Sequence, residues 1–167
     1  MFVIDDLRDY FGEDFEIHGY YANPNIHPYE EFIRRLENCK AASSIKGIDL
    51  DWIMEFDQLA WENFEGPKSE RCKMCYEKRM DMAAKFASEN GYEVFSTTLL
   101  VSPYQNHEQI KIAGEKAAEK YGIKFFYRDY SVGFRAGQQQ AREANLYRQK
   151  YCGCIRSFYE DRKEKKK

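Results

Sequence analysis

No stretch of this chain stays apolar long enough to cross a membrane, and its start lacks the charged, apolar and small-residue layout of a secretory leader. Those absences point to the cytosol, where stable structural disulfides are rare. There is no G-x-G-x-x-G, no G-x-x-x-x-G-K-[ST] and no Ser-Gly-Gly loop, so nucleotide hydrolysis has no support. Repeats and linker-like stretches are absent too, and 167 residues are most simply one domain with room for a real core. Net charge is nearly nil, 26 Lys and Arg against 28 Asp and Glu, which makes no global case for binding nucleic acid. Histidine is scarce, with only His18, His27 and His107.

What is present is a globular composition, 43% apolar and 16% aromatic, with charge spread unevenly. The start carries Asp5, Asp6, Asp9, Glu13, Asp14 and Glu16 against Arg8 alone, and the tail from Glu160 to Lys167 is mainly basic. Such a tail reads as a solvated terminus, with contact to a phosphate backbone as the lesser reading.

Four of the five cysteines form two tight pairs, Cys72-Lys-Met-Cys75 and Cys152-Gly-Cys154, about eighty residues apart. A two-residue gap lets two thiolates converge on one metal within a helical turn. The expectation is that Cys72 and Cys75 open a helix, where unpaired N–H groups and the dipole favour thiolates, with Lys73, Lys78 and Arg79 adding positive charge. This suits an iron–sulfur cluster or zinc. One intervening residue is too short for the usual zinc knuckle, and a bridge between Cys152 and Cys154 would close a strained ring of the labile, catalytic kind. The first pair therefore reads as metal ligands and the second as a redox couple, with all four on one zinc as the alternative. Cys39 reads as a small buried hydrophobe on a helix face with Phe32, Ile33 and Leu36.

Apolar periodicity predicts helices over residues 2–11, from Pro28 onward, from Cys72 to Asn90-Gly91 and from about Gln105 to Tyr121-Gly122. Strands are expected over 15–21, 47–53, 92–98 and 123–127, a loop over 99–103, and a glycine-containing loop at Gly133 and Gly137 before a last short helix. Strands alternating with helices imply an α/β fold with a parallel sheet covered by helices on both faces. The chain opens on a helix, whereas a doubly wound sheet begins with a central strand, so either the sheet is built differently or a first strand is missing.

His27, in Tyr21-Ala-Asn-Pro-Asn-Ile-His27-Pro28, and His107, in Ser102-Pro-Tyr-Gln-Asn-His107, each follow a predicted strand, where α/β proteins place ligands. His18 falls inside a strand and reads as structural. Arg128 and Asp129 also follow a strand, and an ion pair between strand ends explains them equally well.

Asn23-Pro-Asn-Ile-His-Pro-Tyr-Glu30, Arg71-Cys-Lys-Met-Cys-Tyr76, Thr97-Thr-Leu-Leu-Val-Ser-Pro103 and Leu146-Tyr-Arg-Gln-Lys-Tyr-Cys-Gly-Cys154 together resemble the QueH family of epoxyqueuosine reductases. The four motifs occur in order and cover nearly the whole chain. The resemblance implies a fold similar to the adenine-nucleotide α-hydrolases, Rossmann-like, and reduction of epoxyqueuosine to queuosine in tRNA, the last step of queuosine synthesis. It implies that Cys72 and Cys75 are two of four ligands of a [4Fe–4S] cluster, leaving an additional iron open, and that Cys152 and Cys154 are the redox-active pair. The family's other two ligands form a Cys-Cys motif just after its first strand, which has no counterpart here. The expectation is a start codon assigned too late, with a degenerate, inactive homologue as the alternative. With only Cys72 and Cys75 to offer, the chain is not expected to hold a stable cluster unaided.

The resulting expectation is a cytoplasmic oxidoreductase acting on a tRNA anticodon loop, with an electron donor the motifs do not identify. His27, His107 or Tyr104 would supply a proton, and Tyr20, Tyr21, Tyr104 and Tyr147 are candidates to stack on the base. The competing reading is a non-catalytic Cys₄ zinc module binding RNA or a protein partner. A thiol–disulfide oxidoreductase built on Cys72 and Cys75 is disfavoured, because a polar loop precedes the motif where a strand should stand.

Overall fold

The computed structural model describes residues 1–12 and 14–164, with side chains described through Glu160; Glu13 and the end of the basic tail lie outside that description. In chain order the elements are α1 (Phe2–Phe11), β1 (Gly19–Tyr21), α2 (Tyr29–Lys46), β2 (Leu50–Trp52), α3 (Leu59–Glu62), α4 (Lys68–Glu89), β3 (Val94–Phe95), α5 (His107–Tyr121), β4 (Lys124–Phe125), α6 (Phe134–Glu143) and α7 (Ile155–Glu164). A 3₁₀ turn, Thr98–Val101, occupies the expected loop after β3. The chain divides into two compact units, one of Val3–Glu65 with the chain from Gln138 onward, the other of Gly66–Gly137.

Both units rest on a parallel strand pair joined by a helical crossover, as alternating strands and helices require. In the first, β1 and β2 pair with Gly19 opposite Leu50 and Tyr21 opposite Trp52, and α2 is the crossover. Helix α2 stops at Gly47, whose left-handed conformation lets its N–H cap the last turn. Phe32 and Leu36, one turn apart, join Tyr21 and Ile26 in the core, and Cys39 packs against that cluster as a small hydrophobe. Trp61 of α3 is fully buried. The polar stretch around it gave no helical periodicity, which is why a four-residue helix went unpredicted.

In the second unit, β3 and β4 pair with α5 as the crossover. Helix α4 turns Tyr76, Met80, Ala84 and Ala87 inward at spacings of three and four, while α5 buries Ile110, Ala113, Gly114 and Ala117. Small residues let the backbones approach. A Cβ on Gly114 would sit 2.5 Å from the Phe125 ring, so glycine is what lets α5 lie against β4. Asn106 caps α5 by accepting from the Gln109 N–H, and left-handed Gly122 ends it.

Three expectations are corrected. The strands pair over only two or three residues, because a ladder extends only where both partners stay extended in register, and among the described residues they form two sheets of two strands, not one sheet. Gly137 lies inside α6 and not in a loop. Helix α4 begins at Lys68 behind Pro67, four residues earlier than Cys72, because proline is well suited to a helix's first turn.

Candidate active site

That earlier start changes the electrostatics of the first cysteine pair. Only the first four N–H groups of a helix lack intrahelical partners, and Cys72 is the fifth residue of α4. Unpaired helix-terminal N–H groups are therefore not what stabilises a thiolate at Cys72 or Cys75. Both thiols are half-buried and neither is in a disulfide. Spaced i, i+3, they share one face of α4. The next residue, Tyr76, is buried and donates its hydroxyl to Gln105 Oε1 at 2.7 Å, while the Asn106 N–H donates to the same hydroxyl oxygen at 3.3 Å. This fixes the segment leading into α5, whose first residue is His107.

His107 Nε2 lies 3.1 Å from the Ser102 carbonyl, which makes that nitrogen the donor, and Nδ1 lies 3.5 Å from Asp129 Oδ1. Asp129 also accepts the Ser131 N–H, and those Ser131 hydrogen bonds, with a smaller contribution from His107, hold its carboxyl below the usual range. Asp129 thus pairs with His107 within this unit. Tyr104 is 83% exposed, its ring edge-on to Phe134.

The N-terminus geometry expected for the first pair belongs to the second. Cys154 stands immediately before α7 and acts as its cap: the Ser157 N–H points at Cys154 Sγ at 3.4 Å, and the Phe158 N–H donates to the Cys154 carbonyl at 3.0 Å. Gly153 has φ +116°, and a Cβ there would lie 3.0 Å from both Arg35 Nη1 and Ile26 Cγ1. Conformation and space therefore both demand glycine. The resulting turn brings the sulfurs of Cys152 and Cys154 to 3.9 Å, with Cys152 exposed and Cys154 buried. The hydrogen bond with Cys152, then burial, push the Cys154 thiol well above the ordinary thiol range.

What holds this turn is a buried ion pair on α2. Arg35, 9% exposed, donates from Nε to Glu31 at 2.8 Å, from Nη1 to Gln149 Oε1 at 2.9 Å and the Cys152 carbonyl at 3.1 Å, and from Nη2 to the Tyr151 carbonyl at 2.9 Å. Its guanidinium lies over the Tyr151 ring. Glu31, 6% exposed, also accepts the Tyr147 hydroxyl, and Asn38 Oδ1 accepts the Tyr147 N–H at 2.7 Å. Residues 31, 35 and 38 fall on one helical face, so a single stripe of α2 grips the chain from Tyr147 to Cys152. Burial, then the charge of Glu31, push the Tyr151 hydroxyl up to about 12, so it remains a donor at neutral pH, and it donates to the His27 carbonyl.

His27 is tied to the same turn. Its N–H donates to the Gly153 carbonyl at 2.8 Å, its Nδ1 bonds Gln58 Oε1, and its ring packs edge-on against Phe158 of α7. The first unit thus brings together His27, Cys152 and Cys154, and the second contains Cys72, Cys75, Tyr104 and His107. Of the proposed stacking residues, Tyr21 is excluded, since it is buried and donates to the Phe32 carbonyl. Tyr147 is committed to Glu31. His18 lies just before β1 and bonds Asp51 at 3.0 Å.

Sequence reading missed Arg35, Glu31 and Ser157. The i, i+4 Glu–Arg spacing is that of a common surface pair, and its place beside Phe32 and Leu36 on the apolar side of α2 was the available clue. Ser157 follows Cys154 at the cap-to-N3 spacing, which was legible only with the helix start known.

Among the described residues, the only group of three or more His, Cys, Asp or Glu with ligand atoms within 4.8 Å of one another is Glu16, His18 and Asp49, which includes neither cysteine of α4. As two thiols on one helix face, Cys72 and Cys75 would fit half of the four-thiolate set a cubane cluster requires.

The family model for the epoxyqueuosine reductase QueH matches residues 1–160. The chain is 33% identical over 149 residues to the epoxyqueuosine reductase QueH of Dehalococcoides mccartyi, covering 89% of this chain and 82% of that one. It is 39% identical over 151 residues to that of Helicobacter pylori, covering 83% and 41%, and 37% identical over 161 residues to that of Histophilus somni, covering 91% and 65%. The chain thus spans about four-fifths of the first relative and less than two thirds of the other two.

Proposed function

Since this chain belongs to the QueH family of epoxyqueuosine reductases, which are oxidoreductases, we propose that it reduces epoxyqueuosine to queuosine in tRNA with Cys152 and Cys154 as the electron-supplying dithiol. The observation that carries this is the pair of sulfurs held 3.9 Å apart, one exposed and one buried, on a turn clamped by Arg35. The reaction balances with these groups. Both epoxide C–O bonds break, a C=C bond forms, and the oxygen leaves as water. The two thiols give up two electrons and two protons and become a disulfide.

The division between the sulfurs follows from exposure. Cys152 meets the incoming substrate or electron acceptor, and Cys154, protonated and covered, closes the disulfide. His27 lies on the same turn and is the proton donor this arrangement favours over His107, whose two nitrogens face Ser102 and Asp129. Exposed Tyr104 is better suited to stacking on an unpaired base than to proton transfer. The substrate is taken as an anticodon loop with its modified base turned outward.

Cys72 and Cys75 are proposed as two ligands of a [4Fe–4S] cluster. Such a centre, when bound, supplies single-electron steps and Lewis acidity. Because these residues fill half the ligand set, a further pair of thiolates is needed beyond the two α4 cysteines, and no step is derived through the cluster. Each unit's parallel strand–helix–strand element is of the kind from which adenine-nucleotide α-hydrolase folds are built. Work on tRNA, with no described helix long and apolar enough to cross a membrane, supports a cytoplasmic place.

The test is single-turnover reduction of tRNA carrying epoxyqueuosine by anaerobically reconstituted protein, with iron quantified in parallel. Cys152→Ser and Cys154→Ser are each expected to lose at least about 100-fold in rate at unchanged iron, since half a dithiol cannot close a disulfide. Wild-type rates in either variant, or no turnover by the parent chain, overturn the proposal. Cys72→Ser is expected to reduce bound iron, and unchanged iron overturns the ligand assignment.

A further inference from the structure

Ser157 lies among the reacting atoms and belongs to none of the motifs. Its Oγ is 3.0 Å from Cys152 Sγ, 3.5 Å from Cys154 Sγ and 2.9 Å from the Cys154 carbonyl oxygen. A hydroxyl has one proton to give and two lone pairs to offer. While Cys152 is a thiol, the Ser157 hydroxyl donates to the carbonyl and can accept the Cys152 S–H. Once Cys152 is a thiolate, the sulfur has lost its proton and needs a donor. Rotation about the Cβ–Oγ bond turns the Ser157 O–H onto it.

The rotation is cheap for a reason visible in the backbone. The carbonyl that Ser157 abandons also accepts the Phe158 N–H at 3.0 Å, so it is not left unpaired. The Ser157 main-chain N–H meanwhile stays on Cys154 Sγ. One residue thus touches both sulfurs, its hydroxyl nearer Cys152 than Cys154 and its amide on Cys154.

We propose that Ser157 is a catalytic residue of the dithiol, its hydroxyl accepting a hydrogen bond from the Cys152 S–H in one rotamer and donating one to the Cys152 thiolate in the other. This rests on the reading of Cys152 and Cys154 as the redox couple. The same reversal serves disulfide formation, in which the S–S bond forms, two electrons pass to the epoxide and the two thiol protons end on its oxygen, which leaves as water.

In Ser157→Ala, Cys154, 3.9 Å from Cys152, loses its 3.5 Å contact with the Ser157 hydroxyl and keeps the amide of residue 157. The other charged and titratable groups around Cys152 are constant in the comparison that tests this. Arg35 and, behind it, Glu31 come from α2; Tyr151 and His27 come from the adjoining loops; Arg156 of α7 donates to the Glu62 carbonyl of α3. None is altered by changing Ser157.

The test needs neither tRNA nor cluster. Reduced protein is treated with iodoacetamide across pH 5–11, and Cys152 alkylation, in which the thiolate displaces iodide, is followed by peptide mass spectrometry. Losing the donor in Ser157→Ala is expected to raise the midpoint of the profile by about one pH unit. Thiolate then falls about tenfold at pH 7, partly offset by the greater nucleophilicity of a more basic thiolate, for a net loss of about three- to fourfold. On the high-pH plateau the same variant should react about threefold faster than the parent, a crossing of the two curves that loss of packing does not produce. Ser157→Thr keeps the hydroxyl and should restore the parent profile. An Ala profile overlying the parent, or a Thr profile as altered as that of Ala, overturns the proposal. Cys39 alkylation in the same spectra reports any loss of fold, and if Ala unfolds, the near-isosteric pair Ser157→Thr and Ser157→Val decides the matter by the same crossing. Failure here with the Cys152→Ser loss intact would remove Ser157 and leave the dithiol standing.

Discussion

Arg35→Ala is the sharpest perturbation of this fold. It removes the side chain that joins buried Glu31 to the carbonyls of Tyr151 and Cys152. Breaking a buried ion pair from one side costs about 3–5 kcal/mol, because the remaining charge stays out of water. Two features lower the figure. Glu31 keeps the Tyr147 hydroxyl and has Arg34, itself largely exposed, at 3.7 Å. The Cys152 carbonyl belongs to an exposed residue that water can reach, so its desolvation penalty falls at the low end of about 1–3 kcal/mol. The expected net loss is about 3 kcal/mol, which for a chain of this size lowers the thermal midpoint by about 6–12 °C. Thermal unfolding followed by far-UV circular dichroism measures it. The double variant Glu31→Gln with Arg35→Met removes both charges and should recover about half the loss, since replacing a whole pair is far milder than orphaning one member. A drop of less than 2 °C in Arg35→Ala, or a double variant as unstable as the sum of the singles, would refute the clamp as drawn.

Gly153→Ala places a methyl 3.0 Å from Arg35 and Ile26 and forces an unfavourable φ of +116°, so it should cost about 2–3 kcal/mol in a urea midpoint. A wild-type midpoint would show that the turn relaxes. For pH, the buried Cys154 thiol has a folded pKa above its unfolded one, so its contribution is complete below about pH 8.5 and is lost as the unfolded state ionises above that point. Stability should therefore fall between about pH 8.5 and 10, and Cys154→Ser should flatten that fall; an equal slope in the variant would deny the shift.

The two cysteine pairs, the histidines and the helix–strand alternation were legible because each is local, carried by residue type and spacing. Helix α5 came out of periodicity and its stop signal at Gly122, and α2 out of Pro28 and its apolar face, while Gly47, read as the start of a strand, instead ends α2. What was hidden depended on long-range pairing. The strands ended where their partners did, and β3 with β4 retained two residues apiece. The start of α4 turned on Pro67, and misplacing it assigned the helix-terminus geometry to Cys72 when it belonged to Cys154. Arg35 looked like a surface charge until the chain from Gln149 to Cys152 was laid on it.

That last contact has a consequence for how the molecule is made. Arg35 and the Cys152 carbonyl are 117 residues apart in the chain. At ribosomal rates of about 5–20 residues per second, α2 waits roughly 6–23 s between its own synthesis and the arrival of the segment it grips. Through that interval Glu31 and Arg35 have each other, the neighbouring Arg34 and solvent. The turn carrying Cys152 and Cys154 cannot take its final shape until the segment from Gln149 to Cys152 has docked on α2, long after the helix that grips it was made.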